Sequence, residues 1–422
     1  MEKVLIIANE FPPMGGAGVQ RSIKFTKYLP EFGFKPIIIT KDYKGTLIDK
    51  SLLVDLPADL EIHRLKSYDL VNWKGPFKLP MKFVGLKLVS PDPEYFWYLL
   101  NRKKVSNLIA EQDIKIVYTT SFPYSSHLMG LYLKKQHPHI RWVVDFRDEW
   151  TNNPYHLDSV FMQLRLGGEK KKEYAVTSNC DYLVTNTPFM LSNFVRDNPK
   201  LKGRSTFIPN GYDSDDFDGL ETVKADSEKF VITYTGSLYG RRNLNEFLEG
   251  LSAAIKKGHI LKKDLEIRVV GNIYERVLND YAIQFNLEGV MKQYGYLPHR
   301  DSIAMLKKSQ ILLLVIGSGK GSENFYTGKI FEYINVDRPI LALVPPHGAA
   351  AQVIEQTHTG SVVDTDDIDG IEAQLIRYYD AWKNGGIPHE PLWDEVQSYS
   401  RKKQTEQLSK IFQGIHPGEQ LC

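Results

Sequence analysis

The chain has 422 residues, with 53 Lys and Arg against 51 Asp and Glu and a formal net charge of +2. It is 42% hydrophobic and 25% charged, which is typical of a folded protein and excludes a disordered or fibrous one. The balanced charge argues against nucleic acid as a partner, because such a domain would be strongly basic. Cys180 and Cys422 are too few and too far apart for a disulfide framework, so a cytoplasmic, reducing compartment is expected.

Short apolar runs alternate with amphipathic segments along the chain. Several runs are apolar at every position, as expected for parallel strands covered on both faces. The alternation predicts an α/β protein with doubly wound parallel sheets. Strands are predicted at 4–8, 36–40, 114–118, 142–144, 182–184, 207–208, 230–234, 265–270, 311–315, 340–344 and 360–363. The most clearly marked helices are predicted at 19–32, 126–135, 244–257 and 299–308.

Two domains are expected at this length. Residues 1–208 are predicted to form an N-terminal Rossmann-like domain, 209–229 a turn-rich linker, and 230–390 a C-terminal Rossmann-like domain. A helical segment within 391–422 is predicted to pack back on the first domain. Two such domains facing each other would hold a ligand at the carboxyl ends of their strands.

A glycine-rich loop at residues 9–18 follows the first strand and leads into a helix. Glycines at such a place let backbone N–H groups approach a phosphate, so Gly15 and Gly16 are candidate ligand-binding residues; an ordinary tight turn is the alternative. The loop lacks the G-x-G-x-x-G spacing of dinucleotide binding. A nicotinamide-dependent dehydrogenase is therefore disfavoured.

The C-terminal half opens in the same way. Its first strand, at 230–234, runs into Gly236, and Arg241 and Arg242 follow before the next helix. The forked donors of two arginines would grip a diphosphate. A solvated charge pair at the helix start is the alternative.

Residues 324–333 carry the most informative pattern, NFYTGKIFEY. Lys329 and Glu332 are three apart and share one face of a helix. Gly328 leaves backbone amides open to an anion, Lys329 adds a positive charge, and Glu332 would accept hydrogen bonds from ribose hydroxyls. The alternative is an ion pair within the helix.

The sequence TGKIFEY at 327–333, followed by RPIL at 338–341, resembles the nucleotide-sugar motif of family-4 retaining glycosyltransferases of the GT-B fold. The resemblance is closest to the branch that includes N-acetylfucosamine transferases of bacterial surface-polysaccharide assembly. Other segments agree in the same order and extend the resemblance over nearly the whole chain. They are residues 11–18, 145–150, 208–211 and 234–238.

The resemblance implies a nucleotide-diphosphate sugar, a UDP-sugar, bound by the C-terminal domain, with Glu332 on the ribose. No metal or other cofactor is implied, since fixed positive charge stabilises the departing diphosphate. Many relatives have a second glutamate where this chain has Asn324, which puts the contacts to the donor sugar in question. The diphosphate would be held by Arg242, Lys329 and the amides after Gly236 and Gly328.

In the N-terminal half, His127 resembles a position that contacts the donor sugar in relatives. A structural histidine is the alternative. Asp145, Arg147 and Asp148 follow a predicted strand, where ligand-facing residues belong, and are candidates for acceptor binding; an internal salt bridge that caps the next helix is the alternative. Residues 213–215 spell D-x-D, a metal–diphosphate motif of another glycosyltransferase fold, but carboxylates are expected in such a turn, and no metal site is predicted.

Residues 64–104 are inserted into the first domain and combine cations with aromatic rings. Nine basic residues stand against three acidic ones. Such a pattern suits the surface of an anionic membrane, consistent with a polyprenyl-diphosphate-linked acceptor and a peripheral position at the inner face of the plasma membrane. An ordinary insertion with a packed apolar face is the alternative.

The leading hypothesis is a hexosyl- or N-acetylhexosaminyltransferase of cell-surface polysaccharide biosynthesis, acting on a glycan or lipid-linked acceptor. Two alternatives remain. One is a sugar-nucleotide 2-epimerase of the same architecture, which needs no acceptor. The other is a non-catalytic sugar-nucleotide-binding protein, which the asparagine at 324 keeps open.

Overall fold

The computed structural model describes residues 1–43, 45, 48–67, 77–83, 89–153, 160–226, 228–238, 243–319, 321–324 and 326–414. The chain forms two compact units. Unit 1 comprises Met1–Pro209 and Arg401–Cys422, and unit 2 comprises Asn210–Ser400. Each unit has its own sheet and its own apolar core.

Unit 1 is built on a seven-stranded parallel sheet with the order β3-β2-β1-β4-β5-β6-β7. Leu5 pairs with Ile37 across the β1–β2 ladder. The strands are β1 (Glu2–Ile7), β2 (Phe34–Lys41), β3 (Glu61–Leu65), β4 (Ile116–Thr120), β5 (Arg141–Phe146), β6 (Tyr182–Thr185) and β7 (Ser205–Phe207).

Helices cover both faces of this sheet. Alternate residues of a strand point to opposite faces, so Leu5 and Ile7 enter one core cluster while Val4 and Ile6 enter another. The described helices are α1 (Ala17–Tyr28), α2 (Lys78–Phe83), α3 (Tyr95–Gln112), α4 (Ser125–Gln136), α5 (Val160–Asn179), α6 (Pro188–Asp197) and, from the end of the chain, α14 (Arg401–Gln413).

The final helix, α14, completes the core of unit 1. Its Leu408, Ile411 and Phe412 are buried with the β1 residues Val4 and Ile6. The ring of Phe412 also lies 5.5 Å from that of Phe34. The segment therefore returns to the first unit because its apolar face covers one side of that sheet.

Unit 2 is built on a six-stranded parallel sheet with the order β10-β9-β8-β11-β12-β13. The strands are β8 (Phe230–Thr235), β9 (Leu265–Val270), β10 (Met291–Gly295), β11 (Ile311–Val315), β12 (Ile340–Leu343) and β13 (Gly360–Val363). The helices are α7 (Asn245–Lys256), α8 (Glu275–Gln284), α9 (His299–Lys307), α10 (Lys329–Ile334), α11 (Ala349–Thr357), α12 (Ile368–Lys383) and α13 (Trp393–Ser398).

The two doubly wound parallel sheets predicted from the sequence are confirmed, with two strands added. Strands β3 and β10 were not predicted, and each lies at the edge of its sheet. Their sequences, EIHRL and MKQYG, are not apolar throughout because an edge strand is covered less completely than a central one.

The segment predicted as a linker, 209–229, is largely part of unit 2. Phe217 and Leu220 are buried in one of its core clusters, as is Val396 of α13. Helix α13 thus belongs to unit 2, and only the chain from Arg401 onward returns to unit 1. In both segments, a small number of buried apolar side chains pack into the core of unit 2.

Candidate functional site

The sheet of unit 2 reverses its winding between β8 and β11, which are neighbours in space but not in sequence. In open α/β sheets, ligands bind at the carboxyl ends of strands beside such a switch point. Gly236 follows β8 directly at this place. Lys329 and Glu332 lie on α10 and contact neighbouring elements of the same unit.

Lys329 is held at the end of β8. Its ammonium group donates a hydrogen bond to the carbonyl of Thr235 and lies 4.1 Å from the ring centroid of Tyr234. Gly236 has φ 112°, and a Cβ at this position would lie 2.6 Å from Lys329 Nζ. Gly236 is therefore required both for the backbone turn and for the approach of the lysine.

Tyr333 ties the same helix to the strand. Its hydroxyl accepts a hydrogen bond from Thr235 N at 2.9 Å and lies 3.0 Å from Thr235 Oγ1. Burial raises the pKa of Tyr333, so its phenol stays neutral. The carboxyl end of β8 and the start of α10 thus form one fixed element that presents a cation.

Glu332 lies in the first turn of α10, with its side chain 31% exposed. Its Oε1 is 3.0 Å from Nε2 of His299, the first residue of α9. Sequence reasoning missed His299: it lay in a predicted helix but belongs to no motif.

Asn324 ends a short 3₁₀ turn, Ser322–Asn324, and Gly328 caps α10 without a side-chain cap. Between them, Thr327 is buried, and its Oγ1 has no hydrogen-bond partner in the described part of the chain. A buried hydroxyl in that state calls for a water or a ligand. Arg241 and Arg242, predicted to grip the diphosphate, lie outside the described residues.

In unit 1, Gly15 and Gly16 lie in the loop between β1 and α1. Gly16 has φ 108° and precedes α1, which has no side-chain cap. Arg147 donates to the carbonyl oxygens of Gly18 and Ser121 and so joins this loop to the end of β4. Arg147 is placed to hold backbone segments, while Asp148 is exposed.

Asp145 is fully buried, which favours a structural role over contact with an acceptor. Arg21 donates to both of its oxygens, and Tyr118 and Thr120 donate to Oδ2 at 2.5 and 2.9 Å. Burial alone would raise the pKa of Asp145, but Arg21 and these hydrogen bonds hold it below its usual value. Asp145 does form an internal salt bridge, but its partner is Arg21 of α1 and not a residue of its own segment. Arg21 itself was not predicted.

His127 is fully buried at the start of α4. Burial lowers its pKa to about 3, so the ring is neutral. Trp142 Nε1 donates to Thr119 Oγ1 at 3.0 Å, and that oxygen lies 2.9 Å from His127 Nδ1. The hydroxyl accepts from Trp142 and can donate its own proton to Nδ1, an arrangement in which the ring proton lies on Nε2.

Nε2 of His127 has no hydrogen-bond partner among the described residues, and other buried polar atoms of unit 1 share this state. Both amide atoms of Asn9 and the hydroxyls of Ser121 and Ser126 are buried in the same state. Asn9 follows β1 and Ser121 follows β4, the neighbouring strands between which the winding of this sheet reverses. This edge of unit 1 therefore carries several polar groups suited to a hydroxyl-rich ligand.

Within the described ranges, no group of three or more His, Cys, Asp or Glu side chains is arranged to hold a metal ion. In the D-x-D segment, Asp213 accepts a hydrogen bond from Asp215 N at 3.3 Å and caps the 3₁₀ turn Ser214–Phe217. None of the helices described here has the length and apolar character needed to span a bilayer.

No protein-family model and no curated protein matches the chain. Solved structures do match over nearly all of it. A glycosyltransferase from Rickettsia africae is 17% identical with a TM-score of 0.64, and the match covers 98% of each chain. The Anabaena protein HepE, solved with UDP and glucose, is 12% identical with a TM-score of 0.61, covering 98% of this chain and 100% of its own.

The same architecture includes an isomerase. A structure described as a UDP-N-acetylglucosamine 2-epimerase, from Listeria monocytogenes, is 13% identical with a TM-score of 0.54, covering 98% and 97% of the two chains. At these identities the comparisons establish the fold. The chain has the GT-B fold, as predicted.

Proposed function

We propose that this protein is a retaining glycosyltransferase that moves a sugar from a nucleotide-diphosphate donor, a UDP-sugar, to a hydroxyl group of a glycan or lipid-linked acceptor. One observation carries the proposal: Lys329, Gly236 and Glu332 lie around the switch point of a GT-B chain's second sheet. The binding of UDP by HepE, a protein of the same fold, supports the choice of donor. The family-4 assignment and a role in surface-polysaccharide assembly belong to this proposal.

In this proposal the diphosphate lies against the Lys329 ammonium and the backbone amides after Gly236 and Gly328. Arg242 and Arg241 add charge there, and Asn324 faces the donor sugar in place of the glutamate of many relatives. Glu332 accepts hydrogen bonds from the ribose. The fixed lysine supports this arrangement, since a charge already in place costs no reorganisation when the leaving group forms.

During transfer, the bond between the sugar's anomeric carbon and the diphosphate oxygen breaks, and positive charge develops on the sugar. Lys329 and the amide dipoles stabilise the departing diphosphate. The acceptor oxygen bonds to the anomeric carbon on the same face, and its proton passes to the departing phosphate. No enzymic nucleophile is required, and positioning supplies much of the remaining acceleration.

We propose that unit 1 binds the hydroxyl groups of a sugar. His127 would donate through Nε2–H, and the buried open groups of Asn9, Ser121 and Ser126 support a polyhydroxylated ligand. A neutral imidazole suits this task because it donates without adding charge beside an oxocarbenium-like sugar. Gly15 and Gly16 would admit the ligand to the start of α1.

The acceptor is proposed to be polyprenyl-diphosphate-linked and presented at an anionic membrane on the cytoplasmic side. Support comes from α3, where Phe96 and Leu100 are 37% and 53% exposed. Lys103 and Lys104 are exposed one turn beyond Leu100 and two turns beyond Phe96, on the same face. Apolar rings and chains beside lysines suit a lipid surface.

The test is an incubation of the protein with UDP-hexoses and UDP-N-acetylhexosamines, with and without a lipid-linked acceptor. We expect UDP release that depends on acceptor, and a product whose anomeric proton coupling by NMR matches that of the donor. Lys329→Met and Glu332→Gln should abolish or strongly reduce release, while the exposed Lys263→Met in the same unit should not. A donor altered without acceptor would indicate an epimerase, and binding without turnover a non-catalytic protein.

A further inference from the structure

An imidazole lies between two carboxylates in unit 2. Nε2 of His299 is 3.0 Å from Glu332 Oε1, and its Nδ1 is 3.7 Å from Asp216 Oδ2. The three residues come from α9, α10 and the 3₁₀ turn Ser214–Phe217. No sequence motif joins them, so this arrangement is a product of the fold.

The chemistry of the pair fixes the direction of the hydrogen bond. An ionised carboxylate can only accept a hydrogen bond. Nε2 therefore carries a proton and donates a hydrogen bond to Oε1. Oε2 of Glu332 accepts no hydrogen bond from the described part of the chain, which leaves one oxygen to face a ligand. A carboxylate with one oxygen engaged has fewer side-chain rotamers open to it.

That restraint matters because the Glu332 side chain is 31% exposed and lies on a helix of six residues. A long, partly exposed side chain loses rotamer freedom when it binds a ligand, and this loss weakens binding. A partner that holds the side chain beforehand removes part of that cost.

We propose that His299 is a positioning residue for the ribose of the donor: it holds Glu332 in the orientation that accepts hydrogen bonds from the ribose hydroxyls. This inference rests on the proposed function, because it takes a nucleoside diphosphate as the ligand of this pocket.

The readout is the ratio of affinities for UDP and 2′-deoxy-UDP, measured by calorimetry on the full chain. A hydrogen bond between a ribose hydroxyl and a carboxylate should make wild type prefer UDP by about tenfold or more. His299→Ala should lower UDP affinity by about tenfold and bring the ratio close to one. A residue that only supports folding would weaken both ligands alike and leave the ratio unchanged.

Two variants sharpen the comparison. His299→Gln places an amide donor near the position of Nε2 and should restore most of the ratio. His259→Ala removes an exposed histidine of the same unit and should leave both affinities unchanged. If His299→Ala does not fold, as judged by its thermal midpoint, His299→Phe replaces it, since it keeps a ring but has no donor, and it should likewise bring the ratio close to one.

The outcomes separate this inference from the function on which it rests. Wild type that binds neither UDP nor 2′-deoxy-UDP overturns both. Wild type that prefers UDP, with a His299→Ala variant that retains the full preference, overturns the role of His299 and leaves the donor pocket intact. A preference lost in His299→Ala and recovered in His299→Gln supports the inference.

Discussion

Arg21 and Asp145 form a two-pronged salt bridge in the interior of unit 1. Arg21 Nε lies 2.9 Å from Asp145 Oδ2, and Nη2 lies 2.8 Å from Oδ1. Arg21 Nη1 also donates to the carbonyl of Pro209 at 2.9 Å. The pair therefore joins α1, β5 and the end of the first segment of unit 1. We expect it to contribute to the free energy of unfolding of this unit.

Asp145→Asn should destabilise unit 1, because it leaves the guanidinium of Arg21 buried without its counter-charge. Breaking a buried pair from one side costs about 3–5 kcal/mol. Urea unfolding would measure this. The control is Asp197→Asn, which removes the exposed partner of Arg196 and should change the midpoint little. Equal midpoints for the two variants would return Asp145 to the list of acceptor-binding candidates.

Gly236→Ala should weaken binding of UDP by about tenfold, the value of one charge-assisted hydrogen bond. The added Cβ would lie 2.6 Å from Lys329 Nζ and force the ammonium away from Thr235. Gly258→Ala is the matched control, since Gly258 also has positive φ in unit 2 but no atom within 4 Å of the new Cβ. Calorimetry that finds the same affinity in both variants would remove Gly236 from the donor pocket.

His127 should make the stability of unit 1 depend on pH. Burial lowers its pKa to about 3, whereas the unfolded ring takes up a proton near pH 6.5. The unfolded state therefore binds more protons between these values, and stability falls as pH falls, by about 1.4 kcal/mol per unit.

The difference between wild type and His127→Gln isolates this contribution. Glu173 and Asp92, whose pKa values burial raises to about 7 and about 6, act in the opposite sense but are present in both proteins. From pH 7 to pH 5, wild type should lose about 2 kcal/mol more than the variant. The control is His139→Gln at an exposed position, whose free energy of unfolding should change with pH as that of wild type does. If the free energies of wild type and His127→Gln changed equally with pH, a buried neutral ring would be contradicted.

Replacing Lys103 and Lys104 with glutamate should reduce sedimentation with vesicles that contain anionic lipid. These lysines extend the exposed face of α3 that begins at Phe96 and Leu100, and each basic residue near such a surface contributes about 1 kcal/mol. The same change at Lys170 and Lys171, exposed on α5 of the same unit, is the control. Vesicle binding that changes neither with the lysine substitutions nor with the salt concentration would contradict the membrane proposal and favour an ordinary insertion.

The sequence predicted the central strands of both sheets because a strand buried on both faces is an apolar run. It missed the edge strands β3 and β10 because their sequences, EIHRL and MKQYG, contain too few apolar residues to form such a run. The positions of Gly236 after a strand and of Lys329 and Glu332 on one helix could be predicted from local patterns. Arg21 and His299 could not, since their partners lie 124 and 33 residues away along the chain and only the fold brings them together.

The central claim is that unit 2 holds the nucleoside diphosphate at the end of β8 and the start of α10. A crystal structure of the protein with UDP tests it most directly. The account predicts a ribose hydroxyl within hydrogen-bonding distance of Glu332 and phosphate oxygens against Lys329 and the amides after Gly236. Ordered UDP at any other place, with these groups left without ligand contacts, would contradict it.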